Sequence, residues 1–290
     1  MAEDWAYEEA SDEEKLAIAQ RFLLASPPGQ VHEVLRDVAK LVPAHVLSDA
    51  ALRDALHAYN VQVCLPVDVP DADYKILICR EGEVDASHYM DPIGNRVLGF
   101  DHVKQQLVRG DVTEIPETRV SDFEKERQAM QKTLQSYLQF EYMHGGTAGV
   151  YVAGTTLVVH LCTERVNLRN FWAGRWKSRW EVDLRAHPAI VKGTIELHVH
   201  YFENGNLQLQ SVKDVEEEIS SQERAGDLGN AILQVMKEAE DNVQTHLEEM
   251  YINMSEETFK EMRRVMPVTQ TKMEWNLHAH RTAKDLGRSK

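Results

Sequence analysis

Long apolar runs, paired cysteines and basic charge are all scarce in this chain of 290 residues. No stretch approaches the roughly 18 apolar residues of a membrane span. The opening "MAEDWAYEEASDEEK" has neither the basic nor the apolar region of a secretory signal. The sequence therefore reads as neither secreted nor integral to a membrane, and the sequon Asn253-Met254-Ser255 reads as an unmodified helix boundary. Cys64, Cys79 and Cys162 are odd in number and include no Cys-x-x-Cys pair, which argues against a disulfide framework or zinc ribbon and for a reducing cytosol. Lys and Arg total 32 against 47 Asp and Glu, giving a formal charge of −15 and a pI near 5.3. So acidic a body repels polyanions, and nucleic acid is not an expected partner.

Catalytic patterns are missing too. No glycine loop of the P-loop or dinucleotide type occurs. "HGGTAG" at 144–149 resembles an esterase oxyanion loop, but the chain has no G-x-S-x-G nucleophile elbow, so the segment reads as a flexible lead-in to a strand. His198 and His200 project from one face of a strand as two metal ligands would; without a third ligand at matching spacing, a hydrogen-bonded pair is the better reading. His32-Glu33 lacks the second histidine of H-E-x-x-H. No catalytic, cofactor or metal site is expected, and the chain is not read as an enzyme.

What the chain does have is patterned apolar sequence. Ser11 and Glu14 match a capping box ahead of Leu16, Ala19 and Leu23. "SPPG" then ends that helix. Val31, Val34, Leu35, Val38, Leu41 and Val42 form a second stripe closed by Pro43, and Ser48 caps a third helix with Leu52, Leu56 and Tyr59. "VQVCLPVDV" and "KILICR" are short strand-like runs among Asp-, Gly- and Pro-rich loops. Ser121 and Glu124 repeat the capping-box pattern before Phe123, Met130, Leu134, Tyr137 and Leu138. Five β-rich runs follow: "GVYVAG", "TLVVHLC", "WKSRWEVDL", "TIELHVHYF" and "NLQLQSVK", with "ENGN" as the last hairpin. In the third, Trp176, Trp180, Val182 and Leu184 share a face opposite Lys177, Arg179, Glu181, Asp183 and Arg185. That alternation favours core packing over an exposed aromatic platform for "NFWAGRWKSRW". Ser220 and Glu223 open a long helix carrying Leu228, Ile232, Val235, Ala239, Val243, Leu247 and Tyr251. A stripe of that length is expected to lie across the sheet.

The expected fold class is α+β, in four parts: an N-terminal three-helix bundle (1–60), an irregular segment with short strands (61–120), a five-stranded antiparallel sheet with its helices (121–255), and a C-terminal extension (256–290). The extension inverts the chain's charge. From Phe259 to Lys290 there are eight Lys or Arg against three Asp or Glu, a local +5. Trp275, Ala279, Ala283 and Leu286 fall on one side of a helical wheel, with Arg281, Lys284 and Arg288 on another. So thin a stripe builds no domain and is expected to stay mobile until it meets something. On pattern alone it remains a solvated basic helix, a calmodulin-like target or a docking tail.

Three long strings are more specific. "NFWAGRWKSRWEVDL", "GTIELHVHYFENGNLQLQSVKD" and "TFKEMRRVMPVTQTKMEWN", in that order and spacing, resemble the α-subunit family of the heterodimeric F-actin capping proteins. The likeness is densest from Gly149 to Asn276. It implies a calcium-independent, non-enzymatic protein of the cytoplasmic actin cytoskeleton, paired with a β subunit through one continuous sheet. It implies a tail that binds the barbed end of the filament and blocks subunit addition and loss. Carried over by the closing motif, the actin-binding positions are Lys260, Arg263, Arg264, Gln270, Lys272, Met273, Trp275 and Leu277. Lys260 and Arg264 would also meet phosphoinositides. Myotrophin, proteins with capping-protein-interaction motifs and dynactin are further implied partners. One position departs: the family usually has Arg where Gln270 stands, a change worth about 1 to 3 kcal/mol of charge-assisted contact. That leaves open a heterodimeric scaffold with little intrinsic capping.

Overall fold

Ser11 has extended backbone, and its hydroxyl accepts from Glu14 N at 3.3 Å while Glu14 Oε2 accepts from Ser11 N at 2.9 Å. This reciprocal cap starts α1 (Asp12–Leu24), whose acidic first turn suits the positive end of the helix dipole. α2 (Val31–Leu41) stops where Val42 turns extended before Pro43, and α3 (Asp49–Gln62) begins on the Ser48 hydroxyl. The computed structural model containing these helices describes residues 10–70, 72–117, 121–203, 206–219 and 221–253. Leu23, Val31, Ala55, Leu56, Tyr59 and Val63 form the bundle's core, as the apolar stripes predict. Leu41, at the end of α2, is instead 80% exposed.

The middle segment carries the two expected short strands and four more, and is more organised than its sequence suggests. β1 (Leu65–Asp68) and β2 (Lys75–Ile78) pair as a hairpin. β3 (Glu83–Asp85), β4 (His88–Asp91), β5 (Arg96–Asp101) and β6 (Gln106–Thr113) form a four-stranded antiparallel sheet in chain order. The turns share one device. Asp91 accepts from the backbone of Ile93 and Gly94, Asp101 from that of Val103 and Lys104, and four residues after each aspartate a left-handed residue follows, Asn95 and Gln105. Val67, Ile76, Ile78, Tyr89, Leu98 and Phe100 pack between hairpin and sheet. Asn60 of α3 ties the bundle to this layer, its amide donating to His102 O at 3.1 Å.

β7 (Thr147–Ala153), β8 (Thr156–Asn167), β9 (Trp172–Asp183), β10 (Ala189–Tyr201) and β11 (Leu207–Ile219) form the large antiparallel meander, with β7 and β11 at its margins. Trp180 is fully buried opposite Gly193, where a Cβ would stand 2.1 Å from the indole ring. Trp176 is half-buried. The opposite face is paired rather than bare: Lys177 meets Glu196 at 3.0 Å and Arg179 meets Glu181 at 2.8 Å.

α4 (Glu124–Glu141) lies against β7. The capping box expected at Ser121 and Glu124 does not form. Ser121 Oγ accepts from Phe123 N at 3.1 Å instead, and Glu124 is drawn away by Arg127 at 2.7 Å. α5 (Ser221–Asn253) breaks its helical geometry at Asp227, whose side chain accepts from Asn230 N at 3.2 Å and so caps the longer stretch beyond. Ser220, expected to cap this helix, lies outside the described residues. The chain divides into two compact units, Met1–Met236 and Lys237–Lys290. Within the first, Ile232 and Met236 are fully buried and Gly229 approaches Met130 and Thr133 of α4.

Candidate functional site

A sheet five strands wide has two margins, and each presents backbone groups that need partners. At β7 the partners come from α4. Gln131 Oε1 accepts from Val150 N at 2.9 Å and its amide donates to Ala148 O at 3.3 Å, while Arg127 Nη1 donates to Val150 O at 3.3 Å. Arg127 and Gln131 are themselves buried, and Arg127 is held by Glu124, whose pKa it lowers. The helix therefore reads the strand edge with two side chains, as another strand would with its backbone.

Among the described residues, β11 has no such cover. It pairs with β10 along 13 residues, and no described strand lies on its outer side. Most of its side chains are exposed, including Leu207 at 56% and Val212 at 65%. Lys213, Asp214, Glu216, Glu217 and Glu218 give it a mixed, largely acidic rim. Long and unpaired, such an edge is a template for a strand from another chain.

The residues singled out by the sequence fare differently. Lys260, Arg263, Arg264, Gln270, Lys272, Met273, Trp275 and Leu277 all lie outside the described residues. His198 faces Gln208 at 3.0 Å and His200 sits between Gln30 and Asn206 at 3.0 and 3.1 Å, so both rings engage amides. "HGGTAG" leads into β7 at Thr147, with Gly145 at a φ of +90°.

Sequence reading missed a buried cluster. His160 of β8 bonds Glu81 at 2.7 Å through Nε2, and Arg179 on the neighbouring strand donates to the other oxygen of Glu81 at 2.9 and 3.0 Å. Burial raises the Glu81 carboxyl, but His160 and Arg179 outweigh it and bring the pKa down to about 2. Nearby, Arg175 is buried against Glu164 and the Tyr59 hydroxyl. No local motif marks these groups, because each cluster is assembled from separate segments of the chain.

Among the described residues, no helix is long and apolar enough to cross a membrane. Comparison with known proteins is consistent along nearly the whole chain. A profile of the family "F-actin capping protein alpha subunit" matches residues 19–285. The F-actin-capping protein subunit alpha of Dictyostelium discoideum is 33% identical over 276 residues, covering 92% of this chain and 95% of that one. That of Caenorhabditis elegans is 31% identical over 272 residues, with the same coverage of 92% and 95%. A solved structure, the homodimeric actin capping protein alpha subunit from Plasmodium berghei, aligns with a TM-score of 0.74 at 25% identity, over 89% of this chain and 98% of that one. An α+β fold with this order of elements, matched from Ala19 into the C-terminal extension, makes the chain a member of the F-actin capping protein alpha-subunit family.

Proposed function

We propose that this chain is the α half of an αβ heterodimer that sits on the barbed end of the actin filament and blocks both gain and loss of subunits. The family is one of non-enzymatic regulators of actin. The observation that carries the finer reading is the reversal of charge in the extension: a chain of −15 ends in a segment of +5. Actin is acidic, so an acidic body would be repelled unless positive charge is concentrated where contact occurs. Lys260 and Arg264 supply that contact, with Arg263 and Lys272 beside them. Met273, Trp275 and Leu277 seat an amphipathic tail in an apolar groove of a terminal protomer. The open β11 margin supports pairing with a β subunit, whose own tail adds effective concentration.

The test replaces Lys260 and Arg264 with Glu in the purified heterodimer and follows seeded barbed-end elongation. Capping weakens by about 10-fold or more if two charge-assisted contacts are lost; elongation still blocked as by the parent rejects the assignment. The same two residues make the patch sensitive to anionic phosphoinositides, so vesicles containing them should relieve capping. Residence in the cytoplasmic actin cytoskeleton, and contacts with myotrophin, proteins bearing capping-protein-interaction motifs or dynactin, go with this reading.

Gln270 favours a second one. With the arginine of the family replaced by a neutral amide, the dimer acts as a cytoskeletal scaffold with little capping of its own. Restoring the charge with Gln270→Arg separates the two: a gain in capping supports the scaffold reading, while no change supports a complete capper whose Lys272 compensates.

A further inference from the structure

Cys64 directly follows Val63, the C-cap of α3, with a φ of +50°, a position glycine usually fills. There its sulfur is aimed at His160, with Sγ 3.6 Å from Nδ1; its rival acceptor, Val61 O, is farther at 3.9 Å. A carboxylate only accepts, so the 2.7 Å contact with Glu81 places a proton on His160 Nε2. A second proton is then shared between Nδ1 and the sulfur. Thiol, imidazole and carboxylate stand in line, and Arg179 fixes the carboxylate from behind.

This line borders a cavity of about 630 Å³ walled by α3, the loop before β3, and strands β8 to β10. Cys64 lines it at 7% exposure, whereas Cys79 and Cys162 are fully buried. We propose that Cys64 is a reactive thiol, open to reversible covalent modification by small disulfides that enter this cavity.

The charged groups around it are mostly paired. Lys177 of β9 is matched by Glu196 of β10 at 3.0 Å, and His57 of α3 by Glu83 of β3 at 2.9 Å. Beyond those contacts, Arg80 stands at the rim and Arg179 is shared between Glu81 and Glu181. Burial pulls the His160 pKa down, but its hydrogen bonds with Cys64 and Glu81 and the nearby negative charge bring it up to about 9. Held by Glu81 and set beside the sulfur, His160 is placed to take the thiol proton. Cys79 and Tyr151 are driven further above their usual ranges by burial and stay neutral. Cys79 Sγ, Glu81 and His160 lie within 4.8 Å of one another, yet both imidazole nitrogens are already engaged, so the group works as a proton relay.

In the reaction the Cys64 proton passes to His160, and the thiolate attacks one sulfur of the disulfide. A Cys64–S bond forms as the S–S bond breaks, and the departing thiolate takes the proton from His160 to leave as a thiol. The added disulfide is the oxidant and is reduced in the step.

The test uses the full chain purified with its partner subunit. Iodoacetamide labelling near neutral pH, read by peptide mass, should reach Cys64 faster than it consumes a small free thiol such as glutathione. Cys79 and Cys162 should resist labelling until denaturant is added. Hydroxyethyl disulfide should leave an adduct on Cys64 that dithiothreitol removes. Glu81→Gln, which takes from His160 the carboxylate that holds it, should slow that labelling by about 10-fold near neutral pH. If that variant does not fold, the rate of the parent decides alone. Cys64 unlabelled in the folded protein, or labelled no faster than the small free thiol, overturns the proposal.

Discussion

At the scale of single residues, Gly193 and Trp180 decide how the large sheet closes over its core. The indole occupies the space where any Cβ at 193 would be, since such a Cβ would stand 2.1 Å from the ring. Gly193→Val should therefore destabilise the chain by about 1 to 3 kcal/mol or more, as overpacking does, seen as an earlier midpoint in urea. Alternation along β9 made the burial of Trp180 legible in the sequence; the need for glycine opposite it was not, because register is set by pairing that no local pattern encodes. His102 was equally silent. Burial, aided by His57, lowers its pKa from 6.5 to about 4. Below pH 6.5 the unfolded chain gains a proton that the folded ring refuses, so stability should fall as pH drops from 6.5 toward 4. His102→Gln should flatten that slope in denaturation curves measured at each pH.

At the scale of elements, helices were read well and the middle segment was not. Ser11 and Ser48 announce α1 and α3 because caps act within four residues, a distance the sequence displays directly. Ser121 misled: the same pattern is present, but Arg127 outcompetes the backbone for Glu124. β3 to β6 escaped because they are 3 to 8 residues long and their turns rest on aspartates that look like loop residues. α4 makes the sharpest element-scale prediction. Gln131→Ala leaves Val150 N and Ala148 O without their helix partner, costing about 1 to 3 kcal/mol per buried group left unsatisfied. Thermal unfolding should show the loss, and hydrogen exchange should rise at Val150 before it rises elsewhere in the sheet.

At the scale of the molecule, the proposed function is concentrated in a segment whose chemistry is visible in the sequence as a reversal of charge. Removing everything after Ser255 should leave the partner complex intact by gel filtration and abolish inhibition of elongation; capping by the shortened complex would contradict the tail reading. A relative from Plasmodium berghei is described as homodimeric, so the mass of this chain purified alone, by light scattering, tests whether a second copy or a β subunit claims β11. In either assembly this chain turns its β7 margin outward. Two copies of it joined margin to margin would present β7 at both outer ends, each already capped by Arg127 and Gln131. Growth by strand addition then terminates after one step, and a motif that could seed fibrils becomes a counter that stops at two.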